Sequence, residues 1–376
     1  MNEDHSIVIA GESLAGVTTA RELRRLGHRG PLTIVGDETH PAYNRPPLSK
    51  QVLDRAQPGD ATRLQLTDDG ITIVRDGAAG LDLDRKHLRL GSGATLPFDK
   101  AVIATGASAR RLAPPGRTGE NVLRTLDDAR TLRDRLATAQ SAIVIGAGFL
   151  GMEVVSACVR ERVKVTVIDV EPPLRRLLGP FLSGHVSERA TAAGVEILLD
   201  PGGVTLIGDP VNGVRFGDGT ERTADLIVTC AGDIPNTGWL TGSGLEIAGG
   251  LVIDAHTRTS HPDVHGAGDV VTVRTATGLV RRPFWANAVR QGQVAAHAIL
   301  QHPGAPAVFD DYFWTDLLGT AVKVVGDLPL HGPPEILDGT LADGALLRWR
   351  TPHSTTIVAW GLKRPLPRLR ALAAAP

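Results

Sequence analysis

Ser141-Ala142-Ile143-Val144-Ile145-Gly146-Ala147-Gly148-Phe149-Leu150-Gly151, continued by a helical pattern over residues 150–162 and by Val163-Lys164-Val165-Thr166-Val167-Ile168-Asp169, is the stretch that decides the fold. A short β-branched apolar run reads as a buried strand, the glycines as a tight turn, and the periodicity behind them as a helix. Strand, turn, helix and strand make a βαβ unit of about 30 residues, the supersecondary piece of dinucleotide-binding folds. In such a loop Gly146 permits the turn, Gly148 lets the backbone approach a pyrophosphate, and Gly151 packs helix against strand. The helix start at Phe149 and Leu150 turns N–H groups and positive dipole toward phosphate. Asp169 lies 18 residues past Gly151. A carboxylate there accepts hydrogen bonds from a ribose 2′-hydroxyl and repels a 2′-phosphate, which favours NAD over NADP.

The same pattern opens the chain. Ser6-Ile7-Val8-Ile9-Ala10 ends in Gly11, a helical stretch over residues 14–26 is stopped by Gly27, and Leu32-Thr33-Ile34-Val35 is bounded by Pro31 and Gly36. The loop Gly11-Glu12-Ser13-Leu14-Ala15-Gly16 departs from the pattern, because Ser13 stands at the middle glycine and offers a hydroxyl instead of close backbone approach. Glu12 puts a carboxylate beside the loop, repulsive to a pyrophosphate unless it points away. Glu38 lies 22 residues past Gly16, at ribose-binding distance. Each unit is followed by a similar strand-to-turn ending, Lys100–Ala104 before Thr105-Gly106 and Asp225–Thr229 before Ala231-Gly232. Repeats about 135 residues apart are too widely spaced for a solenoid, so they predict two nucleotide-binding domains. An amphipathic helix is predicted over Trp285–Leu300, and from Asp310 short strands alternate with Gly and Pro. The expected class is α/β: two Rossmann-like dinucleotide-binding domains, residues 1–110 with 237–309 and residues 111–236, plus a small C-terminal α+β domain over 310–376.

Composition narrows the function. Forty Lys+Arg against 41 Asp+Glu give a net charge of −1, which argues against broad nucleic-acid binding. The opening Met1-Asn2-Glu3-Asp4-His5 is acidic and no secretory signal, and the apolar stretch Ala142–Val159 carries Glu153 and is no membrane span. A soluble cytoplasmic protein, monomer or homodimer, is expected. Cys158 and Cys230 are separated by 71 residues, so they form neither a disulfide framework nor a closely spaced redox pair, and no metal site is expected. The 43 Gly and 25 Pro exceed the usual combined share of ~12%. Because Val/Ile/Leu runs span the whole chain, this excess marks turns rather than disorder.

Taken in order, several pieces resemble the FAD-dependent, NAD(P)H-dependent ferredoxin reductases that feed bacterial P450s and Rieske dioxygenases, within the pyridine nucleotide–disulfide oxidoreductase superfamily. These pieces are Ile9 through Gly16, Ala42-Tyr43-Asn44-Arg45-Pro46-Pro47-Leu48-Ser49-Lys50, Ala104-Thr105-Gly106-Ala107, Gly146 through Glu153, Pro235-Asn236-Thr237, Gly266-Ala267-Gly268-Asp269, Trp285, and Phe313-Trp314-Thr315-Asp316. The resemblance covers essentially the whole chain, and Arg-Pro-Pro-Leu-Ser-Lys is far more specific than either glycine loop. It implies FAD on the first loop, with pyrophosphate at Gly11, Ser13, Leu14, Ala15 and Gly16 and ribose at Glu38. Arg45, Lys50, Ala78, Thr105, Gly106 and Arg124 would meet the rest of the cofactor. Asp269, at the start of a helix, would take the ribityl–phosphate region, and Trp285 with Trp314, Thr315 and Asp316 would line the isoalloxazine. NAD(H) would lie on Gly146, Gly148, Phe149, Leu150, Gly151, Glu153, Asp169 and Gly232. The catalytic pair would be a Lys50–Glu153 salt bridge beside flavin N5, where a fixed cation stabilises the reduced, anionic flavin.

Lacking a dithiol, such an enzyme would pass hydride from NADH to FAD and then single electrons to an acidic iron–sulfur ferredoxin. Arg281, Arg282, Lys363, Arg364, Arg368 and Arg370 are candidates for a basic docking face. The chain departs from the family pattern at Glu12, Asp233, Pro283-Phe284 and Leu317. Two other readings stay open: a same-fold flavoenzyme acting directly on a small molecule or oxygen, and a non-enzymatic NADH-sensing or cofactor-poor relative.

Overall fold

The computed structural model describes residues 5–54, 63–66 and 70–375; the acidic opening Met1–Asp4 lies outside them. Among the described residues the α-helices are, in chain order, α1 (Leu14–Arg25), α2 (Leu126–Leu136), α3 (Phe149–Arg160), α4 (Arg175–Ala192), α5 (Trp285–Ile299) and α6 (Leu366–Ala373). None of them is long and apolar enough to cross a membrane. The chain divides into two units: Met1–Asn44, Thr62–Ser108 and Ile234–Asp310, and Arg45–Ala61, Ala109–Asp233 and Asp311–Pro376.

In the first unit Ile7–Ala10 is the centre of a five-stranded parallel sheet in the order Val264–Gly266, Lys100–Ile103, Ile7–Ala10, Leu32–Gly36, Ile71–Arg75. Side chains alternate across a strand, so these apolar runs serve two faces. Ile7, Ile9, Leu32, Ile34 and Val102 pack with Ala20 and Leu23 of α1 and Ala295, Ala296 and Ile299 of α5. Val8, Ala10, Val35, Ala101 and Ile103 pack on the other face with Leu81, Leu88, Leu251 and Val271 from two three-stranded sheets. α1 and α5 approach closely because Gly292 has no side chain: a Cβ there would come within 2.8 Å of the Ala15 carbonyl oxygen.

The second unit repeats the plan around Ser141–Ile145, with parallel order Glu196–Leu199, Lys164–Asp169, Ser141–Ile145, Leu226–Thr229, Glu120–Asn121. α2 begins with a reciprocal cap, Thr125 accepting from Asp128 N–H while the Asp128 carboxylate accepts from Thr125 N–H. From Tyr312 onward the chain forms a five-stranded antiparallel sheet covered by α6, whose Leu369 is fully buried against Val325, Ile357 and Ala359. α4 is interrupted at Gly179-Pro180, and there Leu330 N–H, in the loop between two strands of this sheet, bonds the Leu177 carbonyl.

The helices expected over 14–26 and 285–300 each end one residue earlier, at Arg25 and Ile299, and two expectations change further. The helix after the second loop stops at Arg160 rather than Arg162, because Arg162 takes a left-handed conformation (φ 61°) that lets the chain turn into the next strand. Asp269 does not start a helix. It sits in a turn, and the β-branched run Val270-Val271-Thr272-Val273 behind it continues as the strand Val271–Thr275.

Candidate functional site

Each unit carries a loop at the C-terminal end of its central strand. In the second unit Gly146 has φ 102°, and a Cβ there would overlap the Cys230 carbonyl oxygen; a Cβ at Gly151 would overlap the Gly146 carbonyl oxygen. These two glycines are required by the backbone itself. Gly148 is different: a Cβ there would meet no protein atom within 4 Å. Gly148 is also the N-cap of α3, which starts without a side-chain cap and without an acidic residue in its first turn. Open N–H groups, positive dipole and an approachable backbone fit a pyrophosphate. Asp169 orients the loop, since the Ala147 N–H donates to Asp169 Oδ2 at 2.6 Å and the Val170 N–H to Oδ1 at 2.6 Å. Phe149 packs on Phe313, with ring centroids 4.1 Å apart, and Leu150 is exposed. At the neighbouring strand end, the Gly232 carbonyl accepts from the Arg110 N–H at 3.0 Å.

In the first unit Gly11 (φ 127°) would overlap the Ala104 carbonyl oxygen with any Cβ, and Gly16 that of Gly11, as in the second. Ser13 is the N-cap of α1, extended, with its hydroxyl making no cap bond, so Leu14 and Ala15 open a second uncapped helix. Glu12 points away from the helix start. Its carboxylate accepts from the Ala42 N–H at 3.2 Å and from Arg75 Nη2 at 3.0 Å. Gly36 makes the room, since a Cβ there would lie 2.6 Å from Glu12 Cβ. The loop therefore fits a dinucleotide phosphate in spite of its sequence. Glu38 accepts from the Tyr43 hydroxyl. Thr105 Oγ1 donates to the Asn236 carbonyl at 3.0 Å, and Asn236 N–H to the Gly106 carbonyl at 2.9 Å. The Asp269 carbonyl accepts from Arg281 at 2.7 and 3.1 Å. Trp285 begins α5, with its indole N–H on Asn44 Oδ1 at 3.0 Å, while Ala78 lies in a strand opposite Leu90.

The second unit also brings Lys50 and Glu153 together. Pro46 and Pro47 start a single 3-10 turn over Pro46–Ser49, their fixed φ suiting the position, and Arg45 Nη1 pins it to the Arg124 carbonyl at 2.6 Å. Lys50 Nζ lies 2.6 Å from Glu153 Oε1. Thr315 Oγ1 donates to the same oxygen at 2.6 Å, and Ser49 Oγ donates to the other. Ser49, Glu153 and Thr315 are buried, and a buried carboxylate is tolerated when donors saturate it. The family resemblance implies Lys50 and Glu153 as a pair but not this anchoring by Ser49 and Thr315. The resemblance implies Thr315 at the isoalloxazine, and no local signal links it to a helix 162 residues away. Next along the strand, burial raises the Asp316 carboxyl, opposed by Lys50 and reinforced by Glu153. Trp314 stacks on Tyr312, with centroids 5.5 Å apart.

Burial pushes both thiols, Cys158 and Cys230, up to about 12, and both are free. Since the thiolate is the reactive form, neither suits disulfide exchange. Among the described residues no group of three or more His, Cys, Asp or Glu is placed to hold a metal ion. Of the basic residues, Arg281 is committed to Asp269, Arg282 lies 5.0 Å from the Phe309 ring centroid, and Arg364 pairs with Asp338 at 2.7 Å. Among the departures from the family pattern, Leu317 is buried in the C-terminal sheet opposite Thr320.

The family model for pyridine nucleotide-disulphide oxidoreductases matches residues 5–292. The chain is 34% identical over 335 residues to a rubredoxin-NAD(+) reductase of Pseudomonas putida, with 86% of this chain and 87% of that protein covered. It is 33% identical over 355 residues to the ferredoxin–NAD(+) reductase subunit of the benzene 1,2-dioxygenase system of Pseudomonas putida, covering 92% and 86%. Among solved structures it superposes on putidaredoxin reductase, seen in covalent complex with putidaredoxin, with a TM-score of 0.88, 27% identity and coverage of 98% and 92%. The resemblance drawn from the sequence motifs and the expected α/β class both hold. The chain belongs to the pyridine nucleotide-disulphide oxidoreductase family.

Proposed function

We propose that this protein is a flavin-dependent reductase that takes hydride from NADH and passes electrons singly to a small iron-bearing carrier, a ferredoxin or rubredoxin, that serves an oxygenase. The observation that carries this reading is a pair of uncapped glycine cradles in one chain whose two cysteines are free thiols pushed up to about 12, out of the reactive range. Two cradles call for two dinucleotides, and without a dithiol the electrons leave from the flavin. The reductases of 33–34% identity named above support the choice of acceptor.

In this reading residues 1–110 and 237–309 hold FAD and residues 111–236 hold NAD(H), with 310–376 supplying Trp314, Thr315 and Asp316. FAD, when bound, accepts a hydride and gives up electrons one at a time. Gly11, Ser13, Leu14, Ala15 and Gly16 bind its pyrophosphate, Glu38 its ribose, and Arg45, Ala78, Thr105, Gly106, Arg124, Asp269, Trp285 and Trp314 orient the remainder. Gly146, Gly148, Phe149, Leu150 and Gly151 bind the coenzyme pyrophosphate, Asp169 its ribose and Gly232 its nicotinamide side. Lys50 presents a fixed ammonium to the reacting end. Glu153 holds that ammonium in place, and Ser49 and Thr315 hold Glu153.

The purified protein should be yellow with bound oxidised flavin and bleach on addition of NADH. Cytochrome c reduction should then require added ferredoxin or rubredoxin. A colourless protein that FAD cannot reconstitute would overturn the reading. Rapid NADH consumption by oxygen alone, unaffected by either carrier, would instead make it an oxidase.

A further inference from the structure

Beyond Asp169 the chain folds back over the second glycine loop. The Leu174 N–H donates to the Ala147 carbonyl at 2.9 Å, and α4 starts at the next residue. This return brings Arg176 to the acid at the strand end. Its guanidinium lies 3.6 Å from Asp169 Oδ1 and pairs directly with the Glu171 carboxylate. Each Asp169 oxygen already accepts one backbone N–H, from Ala147 or Val170. The carboxylate is thus oriented, and each oxygen keeps acceptor capacity for a ribose hydroxyl. An arginine in this region of a Rossmann-type unit is the group that accommodates a 2′-phosphate, for which its planar fork is well suited. Here that fork is committed to two carboxylates.

We infer that Glu171 is a specificity-determining residue that masks Arg176, so that the site takes a coenzyme with a free 2′-hydroxyl and refuses one with a 2′-phosphate. The inference rests on the assignment of the second loop to the coenzyme. Asp169 alone repels the phosphate, but a neighbouring arginine released from Glu171 would offset that repulsion. Glu171 both occupies the cation and adds a second negative charge. The Arg176 side chain is 67% exposed, so the pair is solvated and its hold modest. The expected effect is accordingly about tenfold, or ~1.4 kcal/mol.

The test is calorimetric titration of the flavin-loaded protein with ADP-ribose and with 2′-phospho-ADP-ribose, for the parent, Glu171→Gln, Arg176→Gln and the double variant. The parent should prefer ADP-ribose by at least about tenfold. Glu171→Gln should narrow that preference about tenfold, and the double variant should lose the gain because it has no arginine to release. An unchanged preference in Glu171→Gln overturns the inference. An equal gain in the double variant overturns it as well, by showing that Glu171 acts through its charge alone. A parent that binds neither ligand refutes the coenzyme assignment itself, and the mask with it.

Discussion

At the lower end of the first parallel sheet, Asp99 accepts the N–H and hydroxyl of Ser6 at 2.7 and 3.0 Å, and Ser6 Oγ accepts the Asp99 N–H at 3.1 Å. In the second sheet Asp225 accepts the N–H and hydroxyl of Ser141 at 2.9 Å each, and Ser141 Oγ accepts the Asp225 N–H at 3.1 Å. The clasp is the same device twice. At the upper ends the halves part. Ala10 pairs with Val35 and Ile145 with Ile168, so Gly36 and Asp169 occupy matching positions just past the paired strands. In the second half the carboxylate comes from that strand end and Ala147 in the loop is small; in the first it comes from the loop, as Glu12, and the strand end is Gly36. The acid and the small residue have changed places. In open α/β sheets the ligand sits at the carboxyl ends of the strands. The lower ends need only hold the sheet together and have kept one solution, while the upper ends, where such sheets take their ligands, have diverged.

The sharpest contrast lies two residues past the third glycine, where α3 carries Glu153 and α1 carries Thr18. Glu153→Ala removes the carboxylate that three donors share and leaves the Lys50 ammonium partly buried. Denaturant titration should show a loss of about 3 kcal/mol, as when one partner of a buried pair is deleted. Lys50→Met in the Glu153→Ala background should recover part of it. A Glu153→Ala protein as stable as its parent would mean that the second half has no more invested at this position than the first.

The glycines offer the next comparison. Gly146→Ala forces a Cβ into the Cys230 carbonyl at φ 102° and should cost about 2–3 kcal/mol. Gly148→Ala meets no protein atom within 4 Å, so its stability should stay within ~0.5 kcal/mol of the parent. Its affinity for ADP-ribose should nevertheless fall about tenfold, because the methyl intrudes on the ligand's side of the loop. Equal melting losses in the two variants would erase the distinction between the glycine the backbone requires and the one that faces open space. That distinction also accounts for Ser13 at the matching position of the first half, where the extended N-cap backbone, like that of Gly148, does not require a glycine.

Much of this was readable in the chain. The strands announce themselves as β-branched runs, and Gly146-Ala147-Gly148 between strand and helix fixes the local geometry. The orientation of Glu12 was not readable, because the space it uses is opened by Gly36, at the end of a strand 24 residues away. The resemblance puts Asp269 at the start of a helix, whereas the Val-Val-Thr-Val run behind it decides for a strand. Ser49 and Thr315 escaped for a related reason. A hydroxyl that saturates a distant carboxylate leaves no mark on its own neighbourhood.

The smallest effect belongs to the shared clasp, where pH can reveal whether its two copies are equivalent. The Ser6 N–H and hydroxyl hold the Asp99 carboxyl below its usual range, against the opposing effect of burial and with help from the charges of His5 and Lys86. Asp225 is lowered by the Ser141 hydroxyl and the N–H groups of Gln140 and Ser141. A folded-state pKa below the unfolded one gives stabilisation that is complete above the unfolded value of about 4 and vanishes as pH falls through the folded value. Asp99→Asn and Asp225→Asn should therefore each lower Tm at pH 7, with the gap to the parent closing as the pH falls below the unfolded value and on through the lowered, folded-state range. A gap that persists in acid would assign the clasp to neutral hydrogen bonding instead. Added salt at pH 7 should narrow the Asp99 gap more than the Asp225 gap, because Asp99 also draws on side-chain charges that salt screens, while Asp225 is lowered by hydrogen bonds.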